Sequence, residues 1–162
     1  MKNKFLIFLA LVTGSLLISG CTILGGQKVA NTNTNLAGEK TLDLSHQQLT
    51  KVPDYVFSST NLEELNLANN QLTGAIPAEI DHLKNLKILN LSDNLMTGVP
   101  AEVDQLQNLQ ILDLSNNRLT GLPYELGNLK NLKTLNISGN NYSALDLEII
   151  IKNLPANVQI IK

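Results

Sequence analysis

The 162-residue chain has no tryptophan, and aromatic residues make up only 4% of it. Any core must therefore be aliphatic. Charge is sparse too: 16% of residues are charged, the formal net charge is −2, and no basic cluster appears. A mildly acidic chain of this kind lacks the footprint of a nucleic-acid binder, whose affinity rests on neutralising phosphates. There are two histidines, His46 and His82, and one cysteine, Cys21. A single cysteine excludes an intramolecular disulfide. A metal site needs several converging His, Cys or carboxylate ligands, and none cluster here. Nucleophilic catalysis needs a base placed beside the nucleophile, and Ser45 next to His46 is too ordinary a pair to count. No enzymatic activity, metal or cofactor is expected.

What the chain does have begins with one apolar run. Lys2 and Lys4 precede "FLIFLALVTGSLLI" (Phe5 to Ile18), and the small residues Ser19 and Gly20 follow. This is the layout of a secretory signal peptide over residues 1–20. The run is interrupted by Thr13, Gly14 and Ser15 and falls short of the roughly 20 residues of a bilayer span. Ile18-Ser19-Gly20-Cys21 resembles the bacterial lipobox, in which cleavage precedes a cysteine that becomes lipid-modified at the new N-terminus. On that resemblance Cys21 is the lipidation site and a membrane anchor. The chain is then exported and faces the periplasm or the cell exterior. Two or more acyl chains hold a protein firmly where one holds it only marginally. The competing account is a free or buried cysteine that follows a signal peptide. A bacterial source makes the Asn-X-Ser triplets at Asn90, Asn136 and Asn141 poor glycosylation candidates. Loss of residues 1–20 removes two lysines and takes the formal charge from −2 to −4. The remaining length suits one ordinary domain.

From Thr22 to Gly38, glycine, threonine and asparagine surround a few scattered aliphatics, so residues 21–38 read as a lipidated N-terminus and flexible tether. Periodicity begins at residue 39. Starting at Leu62, Leu86, Leu109 and Leu132, the pattern Leu-x-x-Leu-x-Leu-x-x-Asn-x-Leu recurs, with spacings of 24, 23 and 23 residues. The blocks read "LEELNLANNQLTGAIP", "LKILNLSDNLMTGVP", "LQILDLSNNRLTGLP" and "LKTLNISGNNYSAL". A weaker first block, "KTLDLSHQQLTKVP" from Lys40, has Gln47 where the others have asparagine, and a sixth, "LPANVQIIK", stops after a strand-like Val158 and Ile160. These blocks resemble the leucine-rich repeat family over residues 39–162, and the "LTG-x-IP" phrasing at Leu72 to Pro77 is similar to its plant-type or bacterial subclass. The resemblance implies an α/β solenoid of about five and a half repeats, with short parallel strands on the concave side and short helical or 3-10 segments on the convex side.

The residues lead to the same architecture. Leu65 and Leu67, two apart, share one face of a strand. Asn70 follows at the turn, where its amide can satisfy buried backbone groups. Asn70, Asn94, Asn117 and Asn140 at equal spacing form a ladder. The return segments "PAEIDHLKN", "PAEVDQLQN" and "PYELGNLKN" open with proline, carry Glu79, Glu102 or Glu125 early, and space apolar residues by three, which predicts short helical or 3-10 turns. No block buries its leucines alone, so the blocks must stack. The first block and its return, with Val56 and Phe57, are expected to close one end, and "LEIIIKNLP" from Leu147 with the final strand to close the other.

Leucine-rich repeats are binding scaffolds as a family, so the resemblance directs attention to residues that leave the concave strands. Four columns are expected there. The first holds Thr41, Glu64, Ile88, Ile111 and Thr134; the second Asp43, Asn66, Asn90, Asp113 and Asn136. The third holds Ser45, Ala68, Ser92, Ser115 and Ser138; the fourth His46, Asn69, Asp93, Asn116 and Gly139. These positions carry four carboxylates and no lysine or arginine, so the face should be acidic and repel phosphate. Asp, Asn and Ser at these places also look like family consensus chosen for ladder hydrogen bonds. Ile88 and Ile111 differ: a stacked apolar pair framed by Glu64, Asp93 and Asp113 is a candidate contact patch, although β-branched residues also simply favour strands. Asp43, His46, Glu64, Asn66, Ile88, Asn90, Asp93, Ile111, Asp113, Thr134 and Asn136 form the candidate ligand-binding set. Five strands at about 4.8 Å and five residues at about 3.3 Å give a patch of about 400 Å² in projection, below the roughly 800 Å² per partner of a standard interface. The expected partner is a protein or peptide held over a short segment. Alternatives are a spacer or self-assembling role, or recognition of a cell-wall glycan. Tyr55, Tyr124 and Tyr142 all fall off the concave strands, which counts against the glycan.

Overall fold

The 23- and 24-residue period is built as one short strand, one buried turn and one return segment per block. The computed structural model describes residues 38–162, within a unit spanning Asn35–Lys162. The expected signal peptide, the expected lipidation site Cys21 and the expected tether up to residue 37 lie outside the described residues. Eight strands follow in chain order: β1 (Thr41–Asp43), β2 (Glu64–Asn66), β3 (Thr73–Gly74), β4 (Ile88–Asn90), β5 (Leu95–Met96), β6 (Ile111–Asp113), β7 (Thr134–Asn136) and β8 (Gln159–Ile161). Six of them form a parallel sheet in the order β1-β2-β4-β6-β7-β8, and β3 and β5 pair separately. The sixth block thus adds a full strand. The register is strict: Leu42, Leu65, Leu89, Leu112, Leu135 and Ile160 are successive partners across the sheet. In a three-residue strand the central side chain points one way and its two neighbours the other. These central residues are therefore the inward ones, and Leu65, Leu89, Leu112 and Leu135 are buried.

The return segments are five-residue 3-10 turns, Asp54–Ser58, Ala78–His82, Ala101–Gln105 and Tyr124–Asn128. Pro53, Pro77, Pro100 and Pro123 precede them with φ between −59° and −72°, the value the pyrrolidine ring imposes. Each turn sends one apolar residue inward at the same place: Val56, Ile80, Val103 and Leu126 are all buried. Strand leucines, turn leucines and these residues form one continuous aliphatic core, in which Phe57 is the only buried aromatic residue among the described residues.

The ends differ from the middle. Leu42, Leu44, Leu49 and Tyr55 of the first block are only half-buried against the core. At the other end a ten-residue helix, α1 (Ala144–Asn153), replaces the 3-10 turn. Ser143 caps it, its hydroxyl accepting from the Asp146 N–H at 3.4 Å, a normal N-cap arrangement. Leu147 and Ile150 are the buried residues of α1, which lies against the Tyr124–Asn128 turn. Among the described residues no helix is long and apolar enough to cross a membrane.

Candidate functional site

The outward face of the six-stranded sheet carries the two columns that alternate with the buried leucines. In the first, Thr41, Glu64, Ile88, Ile111, Thr134 and Gln159 are register partners. Ile111 is 38% exposed and Ile88 half-buried, so an aliphatic pair sits side by side on a mostly polar face, whose other apolar residue is the equally exposed Ile161 on the edge strand β8. Glu64 adjoins Ile88 on one side, and Thr134 adjoins Ile111 on the other.

The second column, Asp43, Asn66, Asn90, Asp113 and Asn136, performs a backbone task. Each side chain accepts a hydrogen bond from the N–H two residues on: Ser45 to Asp43 at 2.9 Å, Ala68 to Asn66 at 3.1 Å, Ser92 to Asn90 at 3.0 Å, Ser115 to Asp113 at 2.9 Å and Ser138 to Asn136 at 3.3 Å. These are Asx turns, which Asp and Asn make with their own backbone. Asp113 is engaged further, accepting from the Ser115 hydroxyl at 2.6 Å and from Asn136 Nδ2 at 3.0 Å.

The Asx turns overturn one expectation. The third column does not line the face: Ala68, Ser92 and Ser115 are buried, and Ser45 and Ser138 are half-buried. The strand ends at the second column, and the turn swings the next residue inward. The fourth column then takes left-handed backbone: His46, Asn69, Asp93, Asn116 and Gly139 have φ of 56°, 55°, 54°, 52° and 68°. Asn, Asp and His tolerate this region better than other residues with a Cβ, so the backbone accounts for the residue types found there. All five residues remain exposed, and Asn116 Nδ2 donates to Asp93 Oδ1 at 3.0 Å.

Behind the face, each ladder asparagine ties two blocks together. Asn94 Oδ1 accepts from the Leu72 N–H at 3.0 Å, and its Nδ2 donates to the carbonyls of Leu67, Leu91 and Ser92 at 3.0–3.1 Å. Asn117 repeats this with the Met96 N–H and the carbonyls of Leu91, Leu114 and Ser115. Asn70 and Asn140 make the same connections. A second ladder, missed in the sequence, runs along the turn that leads into the strands. Asn85 donates to the Thr60 carbonyl at 2.9 Å, Asn108 to Lys84 at 2.8 Å and Asn131 to Gln107 at 2.7 Å. Its signal was the asparagine before each block's first leucine.

Glu63, just before β2, and Glu64, its first residue, have opposite surroundings because successive side chains of an extended chain alternate sides. Glu63 turns to the flank, where Lys40 Nζ lies 2.6 Å and Lys87 Nζ 2.5 Å from its two oxygens. These two hydrogen-bonded ammonium groups hold its carboxyl down at about 2. The same contact raises the pKa of Lys40. Glu64 faces outward with no basic side chain in ion-pair range among the described residues. No group of three or more His, Cys, Asp or Glu converges to hold a metal among those residues. A shallow cavity of about 270 Å³ lies instead on the helical side, lined by Asp54, Phe57, Ser58, Pro77, Glu79 and His82, none of them a residue of the face.

A family model described as leucine rich repeat matches residues 40–96 and 84–142. Among solved structures, the chain is similar to a Leptospira interrogans LRR protein, with 42% identity and a TM-score of 0.70, over 75% of this chain and 30% of that one. It is also similar to the plant peptide hormone receptor RGFR1, solved in complex with RGF2, with 38% identity and a TM-score of 0.62, over 75% of this chain and 20% of the receptor. A curated protein, the adenylate cyclase of Schizosaccharomyces pombe, is 36% identical over 66 residues, which is 41% of this chain and 4% of the cyclase. The chain thus spans less than a third of the length of each.

Proposed function

The chain belongs to the leucine-rich repeat family, and we propose that it is a lipid-anchored binding module of a bacterial cell envelope, holding a protein or peptide on the outward face of its sheet. The observation that carries this reading is the aliphatic pair Ile88 and Ile111, in register and solvent-accessible on a face with no lysine or arginine in its two outward columns. Solvated strand faces are polar unless something covers them. A neighbour of the same fold, the plant peptide hormone receptor RGFR1, was solved in complex with RGF2. In this reading Asp43, His46, Glu64, Asn66, Asn90, Asp93, Asp113, Thr134 and Asn136 surround the pair and set specificity. Six strands at about 4.8 Å make the face about 29 Å long, which suits a short extended segment. Anchoring rests on Cys21 and the signal peptide before it: many copies on one membrane would strengthen a modest individual affinity.

The test is a crosslinked pull-down from native membranes with the domain from Ala37 onward, compared with its Ile88→Lys, Ile111→Lys variant. A protein captured by the wild-type face and lost by the variant, with circular dichroism unchanged, supports the reading. Capture of the same proteins by both, or of none, overturns it. A spacer or self-assembling role is the second reading, favoured by exposed Leu145, Ile151 and Ile161 near the C-terminal end of the sheet. It would appear as a mass in light scattering that rises with concentration.

A further inference from the structure

Glu64 differs from the other acids of the face. Asp113 already accepts three hydrogen bonds from Ser115 and Asn136, Asp93 accepts one from Asn116, and Asp43 accepts one from Ser45. Glu64 is exposed, and no side chain among the described residues donates to it. The two nearest lysines in the pattern, Lys40 and Lys87, are both held by Glu63 on the other side of the strand. A carboxylate without a cation therefore stands one strand from Ile88 and two strands from Ile111, a span of about 10 Å at the usual strand spacing. This is an aliphatic strip that ends in a negative charge.

We propose that the partner presents a lysine or arginine to this strip. The head group meets the Glu64 carboxylate, and the methylene stem lies across Ile88 and Ile111. Lysine and arginine are the side chains that combine an apolar stem with a charged tip. A purely aliphatic side chain covers the isoleucines and leaves Glu64 desolvated without a counter-charge, which costs free energy. An acidic segment is repelled by Glu64, Asp43, Asp93 and Asp113 together. The inference rests on the outward face being the binding surface, and it adds the charge and shape of what is bound.

The experiment pans a displayed library of random dodecapeptides against the full chain in detergent micelles, in parallel with Glu64→Gln and Ile111→Ser. Both side chains are exposed, so neither substitution disturbs the core. The expected result is enrichment of Lys or Arg flanked by aliphatic residues on the wild type, with that preference lost on Glu64→Gln. A selected peptide should bind Glu64→Gln about fivefold more weakly, the size of one partly exposed ion pair, and the difference should shrink at 0.5 M salt, where the screening length falls to about 4 Å. Ile111→Ser should weaken the same peptide while keeping the basic preference. Enrichment of peptides without Lys or Arg overturns the inference and leaves the face as a binding surface. Absence of any enrichment, or peptides equally bound by all three proteins, overturns both.

Discussion

Asn117 shows how far one side chain reaches in this architecture. Its amide is buried at 8% exposure and serves one N–H and three carbonyls drawn from its own block and the one before it. Replacing it with alanine orphans those buried groups at roughly 1–3 kcal/mol each where water cannot reach them. Asn117→Ala should therefore lower stability by about 3 kcal/mol or more, read as a fall in the urea midpoint. Asn117→Asp should do no better, because it places a carboxylate against three carbonyl oxygens. This ladder was legible in the sequence because a polar residue recurs where the chain must turn inside an apolar layer. The second ladder, Asn85, Asn108 and Asn131, was equally periodic and still unread, because it sits in a stretch whose surroundings look solvated. The serine column was misplaced for a different reason. Period-two alternation holds only while the strand lasts, and each strand stops after three residues at an Asx turn.

Each kind of element carries its own signal. Proline, an early acid and apolar residues three apart foretold the 3-10 turns, since ring geometry and side-chain periodicity are local properties. The pairing of β3 with β5 was not foretold: a two-residue strand has no period, and it exists only because stacking brings Thr73 opposite Leu95. The helix α1 was read as a cover from its aliphatics, and its fit depends on Gly127. A Cβ there would lie 2.7 Å from Asn153 Cβ and 3.2 Å from the Ile150 carbonyl. Gly127→Ala should push α1 off the Tyr124–Asn128 turn and cost about 1–3 kcal/mol, the usual penalty of overpacking. Gly98→Ala is the matched control. Its Cβ meets only Ala75 Cβ at 3.9 Å, so its urea midpoint should stay within about 0.5 kcal/mol of wild type.

Across the whole molecule, stability is shared between neighbours in a stack, and Glu63 adds a clasp across the first three blocks through Lys40 and Lys87. Its folded pKa of about 2 lies below the reference value of 4.5. The contribution is therefore complete above pH 4.5 and lost as the pH falls from there towards 2, because the unfolded chain binds the proton first. Comparing urea midpoints of wild type and Glu63→Gln should show a difference at pH 6 that closes between pH 4.5 and 2. The Glu63 side chain is a quarter exposed and the two lysines about half or more, so the difference should be small and should shrink at high salt. A gap that persists at pH 2 would assign the effect to packing rather than charge.

By itself the sequence determined the repeat, its register, the aliphatic core and the asparagine ladder, since each follows from spacing along one chain and recurs often enough to read. The stacking of blocks decided the rest. Whereas Glu64, Ile88 and Ile111 stand in the outward column that the spacing already assigns to them, it placed Glu63 between Lys40 and Lys87 and paired β3 with β5. These are contacts between residues about 23 apart, and a contact across blocks has no local pattern to announce it until the strands lie at their common spacing of about 4.8 Å.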